Sequence, residues 1–212
     1  MTEQAVRNAN VMERSKVRIV AQIGMLGALA AVLMSYLKFP LPFLAPGFYE
    51  MDFSEIPVLL GSFTMGPLAG ILIELIKNLV HLLIQGTKTA GVGDVANFLM
   101  GCAYVVPAGI IYRFGGKKTR AHAVIGMAAG IVCTVLAACF LNAFVLLPAY
   151  GKAFEMPVEA FVEMGAAIHP SVNSLFRFAV LIVAPFNLFK FTIISLIVLL
   201  IYKRIRVILR TI

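Results

Sequence analysis

Two sets of polar side chains sit where polar groups are costly. Asn187 and Lys190 lie three residues apart in the apolar run 178–202, and Glu74, Lys77 and Asn78 fall at i, i+3 and i+4 in another. At such spacings each set occupies one helix face. An ionisable or amide group at membrane depth costs on the order of 2–4 kcal/mol unless it is paired. Glu74 and Lys77 can satisfy each other at i, i+3. Lys190 has no acid nearby on its own helix, so its acceptor must be Glu74 across the bundle, a backbone carbonyl or a ligand oxygen. Asn142, toward the outer end of a third run, is within reach of an outer loop or a substrate.

The chemistry these residues offer is binding. An asparagine amide brings one acceptor and two donors, and a lysine adds three donors and a charge. Together they complement the amide- or imide-like edge of a ligand, and the surrounding Phe, Leu and Met suit a flat aromatic body. No nucleophile and base stand together and no carboxylates are paired for catalysis, so no catalytic residue is assigned. Cys102, Cys133 and Cys139 lie in apolar runs at spacings that suit no metal, and read as small buried hydrophobes. No metal and no cofactor are expected. The chain lacks a Gly-x4-Gly-Lys-[Ser/Thr] phosphate loop and cannot hydrolyse ATP by that route.

The elements that must hold these residues are membrane helices. Of 212 residues 61% are hydrophobic and 13% charged, with a mean hydropathy of +0.95. A soluble domain sits near half apolar and a quarter charged. No run alternates with period two, which disfavours a β-barrel. The polar stretch 1–18 is followed by an apolar run without a cleavage site, so that run reads as a retained helix. The expected fold is an all-α integral membrane protein, a bundle of six helices at about 17–37, 53–66, 67–86, 95–113, 122–148 and 174–202. Only 34 positions serve the second and third spans, which pivot at Gly66-Pro67, so one of them must be short or tilted.

Charge orients the bundle. Twelve of the eighteen Lys and Arg fall in three clusters: Arg7, Arg14, Lys16 and Arg18; Arg113, Lys117, Lys118 and Arg120; Lys203, Arg204, Arg206 and Arg210. All lie on one side of a six-span arrangement, while Glu50, Asp52, Glu55, Asp94, Glu155, Glu159 and Glu163 lie on the other. Both termini are therefore expected in the cytoplasm. The net charge of +8 is a topology signal and calls for no nucleic acid.

Two outer loops, 38–52 and 149–173, carry apolar and aromatic residues that suggest chain folded back over something. On the first span, Gly24 with Ala28 and Gly27 with Ala31 stand at i, i+4, as do Gly126 and Gly130 on the fifth. Such pairs let helices approach closely in lipid. The stripe on the first span is dense enough to suggest a partner surface.

Several segments resemble a known family. They are Phe39-Pro40-Leu41-Pro42-Phe43, Met51-Asp52-Phe53-Ser54-Glu55-Ile56-Pro57, Gly66-Pro67-Leu68-Ala69-Gly70 and Glu74-x-x-Lys77-Asn78. They are similar to the substrate-binding S components of energy-coupling-factor vitamin transporters, most of all the riboflavin-specific ones. The resemblance implies a vitamin-binding subunit in the cell membrane that docks on a transmembrane coupling subunit driven by two ATPases. It implies riboflavin as substrate, with Asn142, Asn187 and Lys190 as ligand contacts and Phe48 and Tyr49 in a loop capping the pocket. It also implies docking through Gly24, Gly27, Ala28 and Ala31, without saying which pair acts. An S component for another vitamin remains open, as does a stand-alone proton- or sodium-coupled transporter using Glu74 and Lys190.

Overall fold

In the computed structural model, the backbone is described for residues 3–87, 89–116 and 119–211, and side chains for 16–87, 89–116 and 119–201. Arg7, Arg14, Lys117, Lys118 and the basic cluster 203–210, used above for orientation, lie outside the described side chains. The chain begins with a long helix, α1 (Glu3–Tyr36), and a two-stranded antiparallel ribbon, β1 (Lys38–Pro40) and β2 (Glu50–Asp52). Helices α2 (Glu55–Met65), α3 (Pro67–Gln85), α4 (Val92–Phe114) and α5 (Arg120–Leu141) follow. A wide-turn π segment, Asn142–Leu146, leads into α6 (Leu147–Ala153) and then α7 (Val158–Ile168). Helix α8 (Leu175–Phe178) passes through a second π segment, Ala179–Val183, into α9 (Ala184–Thr211).

Among the described residues, five stretches are long and apolar enough to cross a membrane: Lys16–Tyr36, Pro67–Gln85, Val92–Phe114, Arg120–Ala153 and Leu175–Ile201. Helix α2 is a shorter apolar helix of 11 residues, about 16 Å at 1.5 Å per residue. It breaks from α3 at Gly66, whose φ of 107° favours glycine, and Pro67 starts α3 where its missing N–H costs nothing. The stretch 149–173 is not the loop expected from its sequence. The end of α6 and all of α7 lie in it, and Phe161 and Gly165 give α7 a face to bury against Phe48 and Phe178.

Both π segments have a visible cause. A proline inside a helix collides with the carbonyl four residues before it. Pro148 faces that problem with Phe144, and Pro185 with Leu181, and each of these earlier residues lies within a π segment. The wide turn takes up the misfit without ending the helix.

Packing uses glycine where backbones touch. A Cβ on Gly126 would lie 2.7 Å from the carbonyl oxygen of Ala108, and one on Gly130 2.5 Å from that of Tyr104. The Gly126 and Gly130 pair thus joins α5 to α4 within the chain. The core runs through Tyr104, Phe63, Phe178 and Phe191, while many leucines, valines and phenylalanines stay exposed on the outside of the bundle, as lipid contact demands.

Candidate substrate-binding site

A cavity of about 480 Å³ lies among α2, α3, α4, α9, the π segment of α5 and the ribbon loop. That volume falls in the range of small-molecule sites, roughly 300–1,000 Å³. Asn142, Asn187, Lys190, Phe48 and Tyr49 all line it, so the five residues expected at the pocket do meet there.

The two asparagines are held alike. Asn142 Nδ2 donates to Ala138 O at 2.9 Å, and Asn187 Nδ2 donates to Val183 O at 2.9 Å, each bond reaching back four residues. Each amide stands at a π segment or one turn beyond it, and spends a donor on its own helix. The Oδ1 of Asn142 accepts from the Tyr49 hydroxyl at 2.6 Å. That bond ties the ribbon loop to α5. Burial pushes the Tyr49 phenol well above its usual range, with Tyr150 adding to the shift, so it stays a donor at neutral pH.

Lys190 is 7% exposed and its Nζ lies 2.6 Å from Asp52 Oδ2. The acceptor is therefore neither Glu74 nor a backbone carbonyl. It is an acid that the sequence places in an outer loop. Ribbon strand β2 carries Asp52 inward, 3% exposed, and Ser54 donates to its Oδ1 through backbone N–H at 2.8 Å and through its hydroxyl. Burial works against the Asp52 carboxylate, but Lys190, Lys77 and the Ser54 bonds outweigh it and hold the group well below the usual carboxylate range. One ammonium proton of Lys190 is spent on Asp52, which leaves two for a ligand.

Beneath this pair lies a second buried ion cluster. Lys77, fully buried, sits 2.5 Å from Glu74 and 2.6 Å from Glu55. The pairing of Glu74 with Lys77 is present, and Glu55, read as a loop acid, is its second partner. Asn78 Nδ2 donates to the Glu74 carboxylate at 3.0 Å. Gly101 makes room, since a Cβ there would collide with that carboxylate. The signal that could have found both missed acids is their apolar setting. Asp52 and Glu55 stand at i, i+3 in Met-Asp-Phe-Ser-Glu-Ile-Pro, flanked by residues too apolar for a solvated loop.

Aromatic rings supply the rest of the wall. Phe48 lies 4.7 Å from Tyr49 and 5.9 Å from both Tyr150 and Phe161, and Tyr49 lies 5.5 Å from Phe186. The loop thus caps the cavity with two rings seated on α6, α7 and α9.

The small-residue stripe of α1 divides. Gly24 and Ala28 are exposed, and nothing lies within 4 Å of a Cβ built at Gly24. Gly27 and Ala31 are buried, and a Cβ at Gly27 would press into Ile76 of α3. Gly27 and Ala31 thus face inward in this chain, while Gly24 and Ala28 face outward.

Residues 18–202 match the family model described as ECF transporter, substrate-specific component. The chain belongs to this family. It is 37% identical over 182 residues to the riboflavin transporter RibU of Staphylococcus aureus, covering 86% of this chain and 87% of that one. It is 30% identical to the riboflavin transporter FmnP of Bacillus subtilis, over 90% and 93% of the two chains. A solved structure, described as the S component of a bacterial ECF transporter, superposes with a TM-score of 0.71 at 34% identity, over 92% of this chain and 98% of that one. As an ECF S component, the chain is a multi-pass cell-membrane protein and a transport subunit, not an enzyme.

Proposed function

We propose that this S component is the riboflavin-binding subunit of an ECF importer, taking its ligand from outside and passing it on through a coupling subunit driven by two ATPases. The observation that carries the reading is the convergence of Asn142, Asn187 and Lys190 on one cavity capped by Phe48 and Tyr49. An isoalloxazine ring is a flat apolar body with an imide edge, two carbonyl acceptors flanking an N–H donor. Lys190 has spare donors for one ring carbonyl, and an asparagine oxygen can take the imide proton. The relatives named as riboflavin transporters favour this ligand over another vitamin. A relay between Glu74 and Lys190 finds no support, since each has a different buried partner.

In the membrane the chain makes six crossings with α2 as the short one, and both termini are cytoplasmic. Lys16, Arg18, Arg113 and Arg120 mark the inner ends of the membrane-spanning stretches of α1, α4 and α5. The coupling subunit docks on the exposed pair Gly24 and Ala28.

The purified chain should carry the yellow absorbance of a flavin, and riboflavin should quench on binding. Concentrative uptake into vesicles should need the partner subunits and ATP. Uptake by this chain alone would sink the assignment. Gly24→Leu should abolish capture of the coupling subunit while riboflavin binding persists.

A further inference from the structure

The buried charges of the bundle do not balance. Among the described residues the buried acids are Asp52, Glu55 and Glu74, and the buried lysines are Lys77 and Lys190. Asp52 and Lys190 stand 2.6 Å apart and cancel. Lys77 is left with two carboxyl groups, through Glu55 Oε1 at 2.6 Å and Glu74 Oε1 at 2.5 Å. Were both ionised, one negative charge would stay uncompensated at membrane depth, where a lone charge is among the costliest features a chain can carry.

The neighbouring side chains do not supply the missing positive charge. His81 lies seven residues along α3 from Glu74, about 10 Å at 1.5 Å per residue, and its Nδ1 is engaged with Ser35. Lys38, at the rim, is paired with Glu50 at 2.9 Å. From α4, Tyr104 brings a hydroxyl bonded to Ser195 and Cys102 a thiol, neither of them a cation. Asn78 donates to Glu74 Oε1 but carries no charge.

The carboxyl groups themselves have room for a proton. The second oxygen of each, Glu55 Oε2 and Glu74 Oε2, is buried without a hydrogen-bond partner among the described residues. A proton on either one turns an idle acceptor into a donor and removes the surplus charge in the same step. Two carboxyl groups crowded on one site commonly settle in this way, one ionised and one neutral. We propose that Glu55 and Glu74 bind one proton between them, so that acid, carboxylate and ammonium form a neutral triad joining α2 to α3 beneath the pocket. The proton site is independent of which vitamin the cavity takes.

Infrared spectroscopy of the ligand-free full chain at neutral pH, in a detergent without ester groups, tests this. A protonated carboxyl gives a C=O stretching band apart from the carboxylate and amide bands, and deuterium exchange shifts it. The unaltered chain should show such a band. Glu55→Gln and Glu74→Gln should each abolish it, because the acid that remains ionises against Lys77. Either variant should melt close to the unaltered chain, since one carboxylate still meets one ammonium. The double variant strands Lys77 and should melt far lower. A chain without the band, or a band that survives in either single variant, would overturn the proposal. So would two single variants that both melt as low as the double one. If one single variant does not fold, the other and the unaltered chain still decide.

Discussion

Lys77 and Lys190 pose the same problem and are solved differently. Both are lysines on apolar helices with an asparagine close by, Asn78 next to Lys77 and Asn187 three residues before Lys190. Lys77 is fully buried between Glu55 and Glu74, outside the cavity lining, with two carboxylates for one ammonium. Lys190 lines the cavity, and its one carboxylate comes from the ribbon beside the cap. A charge shut in between two carboxylates serves structure. A charge held by one carboxylate at the cavity keeps donors free to meet a ligand. Asp52 makes this possible, since it supports the Lys190 charge at depth without consuming all of its donors.

The largest loss is expected at Lys77. Lys77→Met strands two buried carboxylates, and removing one partner of a buried ion pair typically costs about 3–5 kcal/mol. Thermal melts should show the same large loss with and without riboflavin. A variant that melts normally would mean that Lys77 is no keystone.

Lys190→Met should act on the ligand first. Loss of a charged donor is worth about 1.5–3 kcal/mol, or roughly 10- to 150-fold in affinity. The empty protein should melt closer to wild type than Lys77→Met does, while the stabilisation that riboflavin confers shrinks. Unaltered riboflavin affinity would reduce Lys190 to a structural partner of Asp52.

Asp52→Asn sharpens the same contrast. It should leave Lys190 charged but loosely held, with affinity falling about tenfold, the equivalent of ~1.4 kcal/mol. The sign of the pH effect follows from the depressed carboxyl of Asp52. Its contribution is present above the ordinary carboxylate value near pH 4 and is lost as pH falls further toward the folded-state value. Melting curves from pH 8 to 5 should therefore show no loss due to this pair. A transition near pH 6 that Asp52→Asn removes would contradict this assignment.

The smallest effect is expected at the cap. Tyr49→Phe removes the bond to Asn142 but keeps the ring packed on Phe186. Riboflavin should leave about 2- to 10-fold faster, the worth of one neutral hydrogen bond. A slower release would mean that the tyrosine competes with the ligand for the asparagine.

Much of the site was legible as a pattern. Asn187 and Lys190, and Glu74 with Lys77 and Asn78, announce themselves because polar residues are rare in apolar runs and helical spacing tells which of them share a face. The break at Gly66-Pro67 shows itself through the conformations those two residues allow. Spacing along one helix cannot reveal what stands across from it. Asp52 and Glu55 read as loop acids because a short ribbon and an 11-residue helix carry too little periodicity to show that they turn inward.

The sequence by itself determined that this chain lives in a bilayer, because its apolar residues come in blocks that only lipid or a core can accept. It also determined which few polar groups the chain keeps at depth at a cost. Tertiary structure decided their partners and hence their roles. Packing on α3 turned Gly27 and Ala31 inward and left Gly24 and Ala28 outside, though both pairs have one spacing. The ribbon delivered Asp52 to Lys190, and α2 set Glu55 against Lys77. Such pairings depend on distances between segments far apart in the chain, which residue types and local spacing do not encode.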